Sequence, residues 1–157
     1  MKIEFCVVGK TKDKYLEEGM NIYLKRLKHY IPFQMNIIPD IKNAGKLKAS
    51  QVKTQEGNLI LKNLRNEDFL ILLDEKGKSF SSVQFAQFLE KKMAHSSHKI
   101  IFQIGGAFGF SEAVYQRANM KLSLSEMTFS HQMVRLFFLE QLYRAMTILR
   151  NEPYHNT

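Results

Sequence analysis

Cysteine is nearly absent from this chain: Cys6 is the only one in 157 residues. A single thiol forms no internal disulfide, and no Cys/His grouping has metal-ligand spacing, so the sequence predicts a metal-free protein of a reducing compartment. Cys6 lies in the apolar run IEFCVV and reads as a core residue rather than a nucleophile. Long hydrophobic runs are missing as well. None reaches the ~20 residues of a membrane span, and the first run carries Glu4 and is soon followed by Lys10, Lys12 and Lys14, which leaves no signal-peptide core. A cytoplasmic protein without a membrane partner is expected. Acidic residues are in deficit, with 15 Asp plus Glu against 23 Lys plus Arg and a formal charge of +8. Such an excess attracts polyanions, nucleic acid first among them. There is no internal repeat, low-complexity tract or linker, and the length suits one domain over residues 1–157.

What is present is an alternation of short apolar runs and helical patterns. Lys2 to Val8 reads as a strand ended by Gly9, and Asp13 to Tyr30 as a helix with Tyr15, Leu16, Met20, Tyr23, Leu24 and Leu27 at helical spacing. Gln34 to Pro39 reads as a second strand, followed by a basic loop, residues 40–50, with Lys42, Lys46 and Lys48 around Gly45. Residues 50–66 are helical in pattern although Gly57 weakens them. Phe69 to Leu73 is continuously apolar, as in a strand buried on both faces, and Asp74-Glu75-Lys76-Gly77 is expected to stop it. Ser81 and Gln84 form a capping box for a helix to about Ala94. The Ile100 to Ile104 strand, a helix opening at Ser111, a short strand near Lys121 to Leu124 and a long helix from about His131 to Arg150 complete the chain, with Ser130 as N-cap of the last. This order argues for an α/β fold: a mostly parallel sheet covered by helices on both faces. The last helix leaves no wide polar face, and a terminal helix of that kind is expected to find its second covering in a homodimer.

Two motifs imitate nucleotide sites. Gly9-Lys10-Thr11 resembles the end of a P-loop, but Glu4 stands where that loop needs glycine. Gly105-Gly106-x-x-Gly109 has the wrong spacing for a dinucleotide fingerprint and lies too late in the chain. It does follow a strand, and the crevice beyond strand ends is where open α/β sheets hold ligands. His131, Arg135, Glu140, Arg144, Tyr154 and His155 stand out in an otherwise apolar tail. Singly, each has an ordinary reading: Glu140 and Arg144 as a helix ion pair, His131 as decoration of a helix start, Tyr154 and His155 as a frayed end. Together they suggest a site.

The segments KIEFCVVGKTK, IGGAFGF and LSLSEMTFSHQMVRLFFLEQLYRAMTILRNEPYH resemble the RlmH family, SPOUT-class methyltransferases that act on N3 of a pseudouridine in bacterial large-subunit ribosomal RNA. The resemblance spans essentially the whole chain, with Ser130 where many relatives carry proline and a tail ending Asn156-Thr157 rather than in a basic residue and glutamate. It implies a C-terminal segment threaded into a deep trefoil knot and a homodimer, neither of which composition or periodicity discloses. It also implies S-adenosyl-L-methionine as methyl donor, held by Leu73, Gly105, Leu124, Ser125, Glu126, Met127, Thr128 and Phe129, and no metal. Catalytic and RNA-contacting roles fall on His131, Arg144, Tyr154 and His155, with His155 or His131 as base and Arg144 on a phosphate or the base's carbonyl oxygens. Ribosomal RNA within the ribosome is the implied partner. A basic RNA-binding dimer without catalysis fits the charge equally well, and a small-molecule methyltransferase comes third.

Overall fold

The computed structural model describes residues 1–95 and 98–156, so Thr157 lies outside the described residues. Five strands, β1 (Ile3–Val8), β2 (Phe33–Ile38), β3 (Phe69–Ser79), β4 (Ile100–Gln103) and β5 (Met120–Ser123), form one sheet in the order β2-β1-β4-β3-β5. Every pairing is parallel. Parallel strands need crossover segments, and the helices α1 (Lys14–Leu27), α2 (Ala49–Lys62), α3 (Ser82–His95) and α4 (Glu112–Arg117) supply them; α5 (Met133–Leu149) follows the last strand, and together the helices cover both faces. The alternation of side chains divides the core. Ile3, Phe5 and Val7 of β1 and Ile100 and Phe102 of β4 face α1, α3 and α5, whereas Cys6, Val8, Leu70, Leu72 and Ile101 face α2 and α4.

The last helix is central on its face, contrary to the expectation for a terminal element. The chain returns α5 between α1 and α3, so both flanks of its apolar surface are covered within one molecule. Phe138 is fully buried with its ring 4.7 Å from those of both Phe5 and Phe102. Burial of such a ring stabilises by about 1.5–3 kcal/mol. What stays open is Phe137, 40% exposed and 4.9 Å from the equally open Phe129.

Strand β3 also departs from expectation. It does not stop at Asp74 but runs on to Ser79, with a register shift against β5 between Leu73 and Lys78. The extra residues 74–77 leave the ladder as a bulge and the strand resumes beyond them. Gly77 permits this, because a Cβ there would lie 2.6 Å from the backbone nitrogen of Leu122. The predicted capping box forms, Ser81 and Gln84 bonding reciprocally; α5 begins at Met133 with Gln132 rather than Ser130 at its N-cap, although Ser130 Oγ still accepts from the backbone N–H of Met133 across the turn before it.

Candidate functional site

All five strands point the same way, so their carboxyl ends share one rim of the sheet. A cleft of about 640 Å³ opens there, bounded by the β3 bulge, the loop after β4 and the segment after β5. Its size falls within the range of small-molecule sites. The loop after β4 is a tight reversal, with the N–H of Gly109 donating to the carbonyl of Gly106 at 3.1 Å and φ of +84° at Gly109. Gly105 is buried against Phe110, and a Cβ there would be 3.2 Å from that ring. Backbone, not side chains, therefore faces the cleft at this point.

The segment after β5 is held by its own hydroxyls. Ser123 Oγ donates to the carbonyl of Ser125 at 2.8 Å, and Ser125 Oγ accepts from the N–H of Met127 at 2.9 Å. Thr128 Oγ1 donates to the carboxylate of Glu75, which ties this segment to the β3 bulge. Leu73, Gly105, Leu124, Ser125, Met127, Thr128 and Phe129 all line the cleft, and so does His131. Glu126 is exposed and is not part of the lining.

Asp74 and Tyr115 line the cleft without having been singled out in the sequence. The Tyr115 hydroxyl donates to Asp74 Oδ2 at 2.5 Å, and burial followed by that bond pushes its pKa up to about 12. It is thus a fixed donor at neutral pH. Asp74 had a signal, a charge at the end of a buried strand; Tyr115 had none. His131 is half-buried, and its pKa is lowered first by that burial and then by the charges of Arg135 and Lys12, against an opposing pull from Asp40. A ring so placed is neutral at physiological pH and able to accept a proton. Cys6 is buried, and desolvation raises its thiol to about 11, which removes it from nucleophilic chemistry.

The other three predicted catalytic residues gather elsewhere. Arg144 projects from near the end of α5, roughly 17 Å along the axis from its first residue at about 1.5 Å per residue. Its guanidinium bonds Glu140 Oε1 at 2.6 Å through Nη2 and at 3.1 Å through Nε. Tyr154 donates to the same oxygen at 3.0 Å, beneath the guanidinium at 4.8 Å from its ring centre. Arg144 Nη1 lies 3.1 Å from His155 Nδ1. Arginine only donates, so Nδ1 accepts and the proton of a neutral His155 sits on Nε2. The tail is not frayed: Tyr30 donates to Glu152 at 2.5 Å, and the N–H of Glu152 donates to the carbonyl of Thr147 at 2.9 Å. A groove of about 380 Å³ shares Leu122, Leu124 and Phe129 with the cleft and extends along Phe137 to Glu140, so it joins the two clusters.

Exposed lysines occupy the same rim. Lys10 and Lys12 follow β1, and Lys42, Lys46 and Lys48 follow β2; among the described residues none holds a carboxylate in an ion pair. No group of three or more His, Cys, Asp or Glu among the described residues could hold a metal ion, and no helix is long and apolar enough to cross a membrane.

Known proteins resemble this chain over nearly its whole length. The family described as "Predicted SPOUT methyltransferase" matches residues 1–155. A curated protein of Parabacteroides distasonis, "Ribosomal RNA large subunit methyltransferase H", is 59% identical over 156 residues, 99% of each chain. Proteins of the same name from Flavobacterium johnsoniae and Christiangramia forsetii are 57% and 56% identical over the same length, again 99% of each chain.

Proposed function

The chain belongs to the SPOUT methyltransferase family, and from that premise we propose that it methylates N3 of a pseudouridine in large-subunit ribosomal RNA, using S-adenosylmethionine, on the assembled ribosome. The observation that carries this reading is the cleft at the strand ends, where the glycine reversal after β4, the segment after β5 and His131 meet. Its volume and its mixture of backbone, hydroxyl and apolar lining suit an adenosyl group with a charged amino-acid tail. The donor supplies an electrophilic methyl on a sulfonium; the protein has to align, deprotonate and shield.

Leu73, Gly105, Leu124, Ser125, Met127, Thr128 and Phe129 hold the donor in this reading; Glu126, exposed and outside the cleft lining, stays in the proposed set only through its main chain. His131 is the base. It borders the cleft and is held neutral, whereas His155 has its acceptor nitrogen engaged by Arg144 and presents a proton at Nε2. Arg144 and Tyr154 then serve the RNA: the guanidinium pairs with a phosphate or with charge developing on the base's carbonyl oxygens. The groove past the open Phe129 and Phe137 connects these groups to the cleft and is where a second copy of the chain, in a homodimer, brings its own α5 and tail. The segment from β5 into α5 forms the trefoil knot in this reading, and residues 1–157 act as one domain. The lysine rim draws the ribosomal phosphates.

The test is direct. Ribosomes from a strain lacking the modification are incubated with the protein and radiolabelled S-adenosylmethionine, and the label is mapped. Label on N3 of a large-subunit pseudouridine is the expected result; donor binding with label on another molecule, or no transfer at all, overturns it.

A further inference from the structure

Arg135 is the largest side chain that the fold buries completely, and among the described residues it has no carboxylate in an ion pair. Burial disfavours its charge and the nearby carboxylate of Asp40 favours it only from beyond ion-pair distance, so the position is costly, and an apolar side chain would fill the space at less expense. Each of the three guanidinium nitrogens instead donates to a neutral acceptor. Nε donates to the carbonyl of His131 at 3.1 Å, Nη2 to the carbonyl of Val8 at 2.7 Å, and Nη1 to the carbonyl of Gly9 at 2.9 Å and to Thr11 Oγ1 at 3.1 Å. The Gly9-Lys10-Thr11 motif that imitates a phosphate loop is therefore the receiving half of an arginine latch. Gly9 adopts φ of +78°, and a Cβ there would meet the carboxylate of Asp40, so only glycine turns its carbonyl this way. Gln132 repeats the connection beside it, accepting from the N–H of Lys12 at 2.9 Å and donating to the carbonyl of Lys10 at 3.2 Å.

The latch joins the end of β1 to the first turn of α5 at the residue that faces the cleft. We propose that Arg135 is a positioning residue for methyl transfer, fixing the main chain of His131 so that its imidazole meets the target base at the donor. The inference rests on the reading of His131 as the base. The charged groups that act on this ring come from three directions: Arg135 on α5 and Lys12 after β1 disfavour its protonation, and Asp40 after β2 favours it. Loss of the guanidinium therefore both loosens the ring and makes it easier to protonate.

The experiment compares the full-length protein with Arg135→Gln, Arg135→Lys, Thr11→Val and His131→Gln. Three quantities are measured: donor affinity by calorimetry, single-turnover methylation of unmodified ribosomes across pH, and the NMR titration of the His131 ring. For Arg135→Gln the rate falls about 10- to 100-fold, since a displacement of about 1 Å costs that much. Donor affinity stays within about threefold, and the acid limb of the pH–rate profile and the His131 titration move together to higher pH. Arg135→Lys restores the acid limb but not the rate, because it keeps the charge and loses the fork. If Arg135→Gln does not fold, Thr11→Val, which removes one acceptor, decides: a rate several-fold lower with the acid limb unmoved supports the latch. Wild-type rate and acid limb in a folded Arg135→Gln, or wild-type rate in Thr11→Val where the first is unfolded, overturns it. Full-speed transfer by His131→Gln overturns the reading of His131 as base; slow transfer there with full speed in Arg135→Gln overturns only the latch.

Discussion

Replacing Gly57 with alanine reverses the usual sign of a glycine-to-alanine change in a helix. Gly57 lies within α2, where alanine ordinarily gains about 1 kcal/mol. Here α2 crosses α4, and a Cβ would penetrate Ser111 Oγ and come within 3.2 Å of Val114 Cγ2 and 3.3 Å of Ser111 Cβ. The Ser111 hydroxyl caps α4 by accepting from the N–H of Val114 at 3.4 Å. Rotating it away sacrifices a cap of about 1 kcal/mol, and pushing the helices apart costs about 1–3 kcal/mol. The net expectation is a loss of about 1–3 kcal/mol, read as a lower midpoint in urea at unchanged slope. Ser111 also ends the glycine loop that borders the cleft, so donor affinity falls together with stability. In Gly57→Ala/Ser111→Ala the hydroxyl clash is gone, and the two changes are less than additive by more than about 0.5 kcal/mol. A Gly57→Ala protein stabilised by about 1 kcal/mol would refute the close-packing argument.

Further outcomes are expected at the site and around it. Arg144→Ala abolishes methyl transfer, by more than about 100-fold, while calorimetry finds donor binding intact; lost donor binding contradicts its assignment to the RNA side. Glu56 is buried with its carboxylate against Gly106, and burial and then Asp40 raise its pKa, so its charged form is a burden on the fold that grows as pH rises through the raised value. Glu56→Gln accordingly raises the melting temperature at pH 8, and the gain vanishes below the ordinary glutamate pKa of about 4.3; an equal gain at both pH values argues against the burial effect. Changing Lys10, Lys12 and Lys42 together to glutamine flattens the salt dependence of ribosome binding by about 2 in log–log slope, as expected for three phosphate contacts. An unaltered slope removes this rim from the docking surface.

Much of the architecture could be read from periodicity, because parallel strands buried on both faces leave continuous apolar runs such as Phe69 to Leu73 and the covering helices leave stripes. Where reading failed, tertiary contact outweighed local pattern. The polar run 74–77 looks like a stop and is a bulge, since β5 re-engages β3 beyond it. Gly57 looks like a flaw in a helix and is the contact point with α4. The place of α5 after the last strand suggests a helix at the margin of the fold, yet it lies between α1 and α3, which no pattern within α5 alone could disclose. At the site, the residues that the family resemblance names for the donor line the cleft except Glu126, whose exposure in an irregular segment has no periodic signature. Arg135 was visible as an oddity in an apolar helix, but its partners Val8, Gly9 and Thr11 lie at the far end of the sequence.

The interleaved strand order has a consequence for how the chain is made. A ribosome delivers β1 and β2 early, and these can pair at once. The opposite edge of β1 must wait for β4, which slots between β1 and β3, and the latch on Val8 and Gly9 waits for Arg135, 127 and 126 residues after them. Throughout that interval the nascent chain carries an apolar strand with one edge unsatisfied, a state prone to mispairing and suited to chaperone capture. Contacts so distant in sequence also make spontaneous refolding slow, and the order of synthesis becomes part of the information by which this protein reaches its shape.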